Sequence, residues 1–445
     1  MNGSIPDGAK RILRVLSDAG YGSYIVGGCV RDLLLGKAPH DWDICTSAKP
    51  DETIAALDGM HIVKTGLKHG TVTVILEDGS YEVTTFRVDG VYKDNRHPEN
   101  VRFVADIRED LARRDFTVNA MAYNETTGII DPFGGMEDLK NGVIRCVGDA
   151  RARFEEDALR IMRALRFSST YGFSVGSSTS DAIHAQKDLL NNIANERINA
   201  ELCKTLTGKG VLGVLTEYAD VMQTVIPKFA KCVSFEQHNR YHQYGVYEHI
   251  ARSVAAYGGS DICIALALLL HDIGKPECFT LGQDGVGHFY GHADISAGIA
   301  SRIMSRLKFD NETRYIVTGL IQYHDIPVSG SERSVRRIIR KLGYEQFARL
   351  LEVKRADILA QADIDREKRF EDCRKAAETA QKLKESGACM SRKDLAVNGS
   401  DLIKAGVTAG KNIGDALETV LNEVIEGNLP NERDAILEYV KRIKR

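Results

Sequence analysis

At 445 residues the chain is longer than one hydrophobic core usually organises, so two to four domains are expected. A hydrophobic content of 43% with 27% charged residues excludes a disordered chain, a collagen or a coiled coil as the dominant state. The net charge of -3 excludes a uniformly basic surface, so any nucleic acid would have to be held by local basic patches.

In chain order, Ile12, Val15 and Leu16 after Asp7 predict an opening helix, and Tyr24 to Val26 a short strand. The stretch HGTVTVILEDGSYEVTTFR (69–87) predicts a hairpin with alternating Val72 and Val74 and a turn at Asp78-Gly79. From about Asp149 onward the periodicity is helical to the end. The expected fold is therefore an α/β head followed by all-α sections. Seams are expected near 207–213, 238–245 and 385–394. The nine cysteines are scattered, without a C-x-x-C pair, and fit a reducing cytosol. The N-terminal MNGSIPDGAKRIL lacks an apolar signal core, and the longest apolar run, Ile262 to Leu270, falls short of the ~20 residues of a membrane span. A cytoplasmic protein without a membrane partner is expected.

The segment YIVGGCVRDLLLGKAPHDWDICT (24–46) carries the first chemistry. If Asp41 and Asp43 lie on one strand they share a face, with Trp42 on the other. Two carboxylates aimed at one spot suit Mg²⁺, which takes oxygen ligands together with substrate phosphates, and paired ions could activate a hydroxyl and steady a leaving pyrophosphate. Gly27 and Gly28 between strand and helix would let the backbone approach a triphosphate. An isolated D-x-D is more often a capped surface turn. Arg113, Arg114, Asp115 and Asn119 combine guanidinium groups suited to phosphate with polar groups able to recognise a ribose hydroxyl. In EEDALRIMRALRF (155–167) a continuous helix would put Asp157 and Arg160 on one face, with Arg163 extending the stripe. Such a pair could read the edge of cytosine or adenine and reject uracil and guanine. It is equally the spacing of an ordinary surface ion pair. Glu82, on the second strand of the hairpin, is a third candidate carboxylate or simply an exposed strand residue.

GGCVRDLLLGKAPHDWDICT resembles the first motif of the class II tRNA nucleotidyltransferases (CCA-adding enzymes) and bacterial poly(A) polymerases, of the DNA polymerase beta superfamily. RRDFTVNAMAY (113–123), DPFGGMEDL (131–139), EEDALRIMRALRF and NERINAEL (195–202) match that family in order, over roughly the first half of the chain. The resemblance implies catalysis by Asp41 and Asp43 with Mg²⁺, Glu82 beside them, and nucleotide binding by Gly27, Gly28, Arg31, Arg113, Arg114, Asp115, Asn119 and Arg163. It assigns base choice to Asp157 and Arg160, CTP and ATP as substrates and tRNA as partner. FRVDGVYKDNRHPENVRF (86–103), with Asp94 and Arg96, resembles the flexible loop associated with addition of the final A. Residues 399–440 look like the helical tail of bacterial tRNA nucleotidyltransferases, which would hold the tRNA elbow.

A second constellation follows: His249 in YEHI, His271-Asp272 in ALLLHDIGK and Asp357 in KRADILAQ, with His292 in YGHAD and His324 in QYHDIP between them. Histidine and aspartate suit a divalent metal that supplies hydroxide near neutral pH. A lone His-Asp after an apolar helix is more often a satisfied helix end. The ordered set resembles the HD phosphohydrolase superfamily, which implies His249, His271, Asp272 and Asp357 as ligands to a divalent metal, a second metal at His292 and His324, and phosphoesters, such as a 2',3'-cyclic phosphate on damaged tRNA ends, as substrates.

The expected division is a nucleotidyltransferase head (1–145), a helical neck with base recognition (146–235), an HD domain (236–380) and a helical tRNA-binding tail (381–445). The competing readings are a poly(A) polymerase, indifferent to CTP, and a phosphodiesterase or nucleotidase whose head only binds RNA.

Overall fold

A computed structural model describes residues 5–64, 66–67, 70–89, 101–408 and 410–443. The loop carrying Asp94 and Arg96 lies outside the described residues. The chain divides into two compact units, 1–227 and 228–445.

In the first unit the opening helix Asp7–Asp18 buries Ile12, Leu13 and Leu16. Among the described residues up to Ile130, nine strands follow: β1 (Ser23–Val26), β2 (Asp43–Thr46), β3 (His61–Val63), β4 (Thr71–Leu76), β5 (Gly79–Thr85), β6 (Arg87–Asp89), β7 (Val101–Phe103), β8 (Ala122–Asn124) and β9 (Gly128–Ile130). Seven form a mixed sheet in the order β3-β4-β5-β2-β1-β8-β9, while β6 and β7 pair separately. All neighbours in the large sheet are antiparallel except β2 and β5, which run parallel. Val72 and Val74 are buried, as their alternation requires, but the hairpin turn is Glu77-Asp78, because Gly79 already pairs with Leu76.

The remainder of this unit is mainly helical. The helices Leu159–Tyr171 and Asn195–Leu206 pack on one another, and the apolar side of the former is buried through Ile161, Met162, Leu165 and Phe167. The expected seam near 207–213 is a packed corner instead of a linker: a side chain at Gly208 would meet the Ser169 backbone at 2.5 Å.

The second unit is also mainly helical. Ile262–Leu270 is buried almost throughout and packs against Val246–Tyr257 and Asn311–Tyr323. The long stretch Glu332–Ala360 is two helices broken at Gly343 (φ 80°), and it packs along Arg366–Glu385. A separate apolar cluster of Leu402, Val420, Leu421, Ile425 and Ile436 ties the last helices together. No helix among the described residues is long and apolar enough to cross a membrane.

Candidate active sites

In the first unit, β1 ends where Gly27 turns the chain (φ 75°, ψ -129°) into the helix Gly28–Leu34. A Cβ at Gly27 would stand 2.6 Å from Arg114 Nη1, so the glycine makes room for a guanidinium. Asp41 is not on a strand, contrary to the shared-face expectation. β2 begins at Asp43, since β1 turns away at Gly27 and nothing is left to pair with residues 41 and 42. The Asp41 side chain is 88% exposed, beside His40 Nδ1 at 3.1 Å. Asp43 is aligned in parallel register with Glu82 of β5, so both exposed carboxylates stand on one sheet face at the same level. Although Asp43 is solvent-accessible, the protein packed around its strand end strips part of its hydration and pushes the carboxyl up; Arg114 opposes this and the Asp41 charge adds to it. An all-oxygen set whose carboxylates repel one another fits a hard divalent cation.

A buried hydrogen-bond network lies behind this edge. Arg31 Nη1 donates to Asn119 Oδ1 (2.5 Å), and Asn119 Nδ2 donates to Asp115 Oδ1 (3.0 Å). Arg163 closes on Asp115 Oδ2 through Nε (2.8 Å) and Nη2 (2.5 Å). Four residues from three distant segments thereby become one assembly. Burial alone would raise the Asp115 carboxyl, but Arg163, Asn119 and the Phe116 N-H hold it down at about 2. Arg31 also lies over the rings of Phe167 (5.2 Å) and Tyr171 (4.9 Å).

Arg113 and Arg114 both reach Asp110, at 2.9 and 3.3 Å, a fully buried carboxylate that the sequence reading missed. Its spacing, three and four residues before the two arginines, was the available signal. The expected continuous helix through 155–167 is also corrected. It breaks at Asp157 (φ -139°, ψ 101°), whose Oδ1 accepts the N-H of Leu159. Asp157 and Arg160 therefore do not share a helical face. Asp157 is held by Arg197 in a two-pronged pair at 3.0 and 3.3 Å. Arg160 is buried and donates to Glu156 (2.6 Å) and to the carbonyls of Arg153 (3.0 Å) and Arg113 (3.1 Å). Arg197 and Glu201, the latter 2.9 Å from Arg166, went unassigned within NERINAEL, although their i,i+4 spacing marked them.

In the second unit, five helices bring the second constellation together. His249 lies in Val246–Tyr257, His271-Asp272 follows Ile262–Leu270, His292 opens His292–Arg306, His324 follows Asn311–Tyr323 and Asp357 lies near the end of Glu332–Ala360. Around one point, His249 Nε2 is 3.2 Å from His271 Nε2, 3.4 Å from Asp272 Oδ2 and 3.0 Å from Asp357 Oδ1. Around another, His292 Nε2 is 3.2 Å from His324 Nε2 and 3.4 Å from Asp272 Oδ1. Asp272 faces both with one oxygen each. His271, His292 and His324 each donate Nδ1-H to the carbonyl three residues earlier, Leu268 (2.8 Å), Phe289 (2.9 Å) and Ile321 (2.6 Å). Their Nε2 lone pairs consequently point inward at one another, an arrangement that a cation stabilises. Without a cation, burial opposes charge on His271, yet Asp272 and Asp357 outweigh it and push it up to about 10, so that a proton takes the Nε2 position a metal ion would occupy. Lys275 Nζ lies 2.7 Å from Asp272 Oδ2 and donates to Gln237 Oε1 at 2.8 Å. The set fits two divalent ions of the kind that accept nitrogen and oxygen together. Cavities of about 400 and 290 Å³ open onto the cluster.

A mixed sheet with carboxylates at the edge of β2 and β5, backed by a buried Arg-Asn-Asp-Arg network, defines a nucleotidyltransferase head, and residues 23–145 match the family described as Poly A polymerase head domain. Residues 172–215 match the probable RNA and SrmB-binding site of polymerase A, and 289–440 a putative tRNA nucleotidyltransferase domain 2. The CCA-adding enzyme of Ligilactobacillus salivarius is 34% identical over 99% of this chain and 98% of its own, and that of Geobacillus thermodenitrificans is 50% identical over 50% of this chain and 55% of its own. The chain belongs to the CCA-adding enzyme family of tRNA nucleotidyltransferases. Among solved structures, the Bacillus stearothermophilus CCA-adding enzyme in complex with CTP has a TM-score of 0.74 at 30% identity, over 99% of this chain and 98% of that one. The Thermotoga maritima enzyme complexed with tRNA shares the fold, with a TM-score of 0.61 at 22% identity over 99% and 97% of the two chains. The family implies use of a divalent metal.

Proposed function

We propose that the protein adds C, C and A to tRNA 3' ends from CTP and ATP, in the cytoplasm. The observation that carries this reading is the Arg31-Asn119-Asp115-Arg163 network, which joins the family's separate segments behind the carboxylate edge. Asp41, Asp43 and Glu82 would hold Mg²⁺, which when bound lowers the pKa of the attacking hydroxyl and neutralises the leaving pyrophosphate. In each addition the terminal tRNA hydroxyl oxygen bonds to the α-phosphorus, and the bond to pyrophosphate breaks. Gly27 and Gly28 leave the backbone bare beside the triphosphate, with Arg113 and Arg114 behind it. Arg31, Asn119 and Asp115 orient the ribose, with Arg163 fixing Asp115. The resemblance of EEDALRIMRALRF assigns the base edge to Asp157 and Arg160, which stand either side of the helix break and are held by Arg197 and by Glu156 respectively. The four-part division into head (1–145), neck (146–235), HD domain (236–380) and tail (381–445) goes with this reading, as does a tail that grips tRNA.

A second reading, favoured by the inward-facing imidazoles around Asp272, is phosphoester hydrolysis in the second unit. His249, His271, Asp272 and Asp357 would hold one divalent ion, and Asp272, His292 and His324 a second. Bound ions would supply hydroxide near neutral pH. The chain's own part is to fix the imidazole tautomers and to keep Lys275 beside Asp272.

One experiment tests both. Wild type, Asp41→Ala and Asp272→Ala are incubated with tRNA transcripts lacking CCA and CTP, ATP or both, and separately with cyclic and simple phosphoesters in Mg²⁺, Mn²⁺, Ni²⁺ or Co²⁺. Wild type is expected to add CC and then one A, and Asp41→Ala to lose at least a hundredfold of that rate while still releasing phosphate. Asp272→Ala should behave the opposite way. Long A tails from ATP alone would replace the first reading with a poly(A) polymerase, and no phosphate release in any metal would remove the second.

A further inference from the structure

Tyr290 stands at the mouth of the histidine-aspartate cluster, between the short strand Gly287–His288 and the helix His292–Arg306. The residue is 78% exposed, more than any other exposed large hydrophobic residue among the described residues. Packing does not explain that exposure. The neighbouring Phe289 makes the inward contact, against Phe279 at 5.5 Å. Tyr290 instead lies flat on His288, with ring centroids 5.4 Å apart and planes 7° from parallel. A parallel pair ending in solvent presents a free π-face, on which a further flat ring would form a third layer.

The position of that face gives it meaning. Tyr290 and His288 line the same cavity of about 290 Å³ as Asp272, His292, His324 and Asp357. Asn239 and Gln361 line it too, the former held by Gly287 and Tyr241 and the latter donating to Asp357. Its size is near the low end of sites for single small ligands, roughly 300–1,000 Å³. A ligand matching both parts of this cavity carries a phosphate for the cluster and an aromatic heterocycle for the ring. That is the shape of a nucleotide.

We infer that Tyr290, stacked on His288, is the base platform of the phosphoester site, and that the substrate is a nucleotide whose base lies on that ring. The inference rests on the hydrolase reading above. The nucleotide can be free or the last residue of an RNA chain, since both present the same base, ribose and phosphate.

The test compares full-length wild type, Tyr290→Ala and Tyr290→Phe, loaded with Mn²⁺, on guanosine 3'-monophosphate, a short RNA ending in guanosine 3'-phosphate, and glycerol 2-phosphate. Guanine is used because the head is expected to reject it. Tyr290→Ala should raise KM for the guanosine substrates about tenfold, the scale of one lost base stack. Its kcat should stay within about twofold, and its KM for glycerol 2-phosphate should not move; Tyr290→Phe should match wild type. A rise on both guanosine substrates identifies the terminal nucleotide as the recognised unit, and a rise on the RNA alone identifies the chain end. Unchanged KM on both, or an equal loss on all three substrates, overturns the platform and leaves hydrolysis standing. If wild type hydrolyses nothing, the hydrolase reading falls, and equilibrium dialysis of guanosine 3'-monophosphate decides the platform. About tenfold weaker binding in Tyr290→Ala, restored in Tyr290→Phe, upholds it, whereas equal binding in all three proteins overturns it.

Discussion

A carboxylate removed from water stays ionised only where cations and donors enclose it, and Asp115 is enclosed on both oxygens. With its carboxyl held at about 2, the charged form is favoured in the folded state over the unfolded chain, where an aspartate titrates near 3.9. The folded value is the lower one, so the stabilisation is complete above about pH 5 and is lost as pH falls from about 4 through 2. Asp115→Asn is expected to cost roughly 2 kcal/mol or more at pH 7, and to flatten that part of the acid limb when urea unfolding is followed from pH 7 to pH 3. Asp115, Asn119, Arg31 and Arg163 were all singled out in the sequence as candidate site residues, but not as each other's partners. Asp110 and Arg197 went unread because a charged residue at helical spacing has many ordinary explanations, and only the fold decides which carboxylate is buried.

Among the elements, the junction from β1 into its helix depends on one residue. Gly27 combines a backbone conformation that side chains resist with 2.6 Å of clearance to Arg114. Gly27→Ala is expected to destabilise the protein by about 2 kcal/mol and to lower nucleotide incorporation, read by denaturant unfolding and by incorporation rate. The glycine pair itself was legible, although as a phosphate approach and not as room for an arginine. Strand and helix boundaries were less so. The start of β2 depends on where its neighbours turn away, and the break at Asp157 on a side chain capping the next turn, neither of which hydrophobic periodicity records. The register of Glu82 against Asp43 needed the parallel pairing of β2 with β5, two strands separated in sequence by a helix, β3 and β4.

For the molecule as a whole, the α/β head and helical remainder were visible in the change of periodicity, because sheet and helix bury side chains at different intervals. The division after Pro227 falls near the boundary expected at 235, whereas the seam expected at 207–213 is a packed corner, because glycines that pack a corner and glycines that loosen a linker look alike in a sequence. A ligand that binds only folded protein raises stability by mass action, about 2.7 kcal/mol at a hundredfold excess over Kd. Mn²⁺ is accordingly expected to raise the unfolding temperature of the unit 228–445 in wild type and not in Asp272→Ala, as followed by differential scanning calorimetry. Equal shifts in both proteins would place the bound ion elsewhere. Three of the cluster's four histidines share a further property, His249 being the exception, with Nδ1 facing the Ala360 carbonyl of another helix. His271, His292 and His324 each take their bearing from a carbonyl three positions back in their own chain, so the aim of each ligand is written into four consecutive residues. A shift of the helices against one another would alter the spacing of these three imidazoles while leaving their aim intact, and only His249 would lose its bearing.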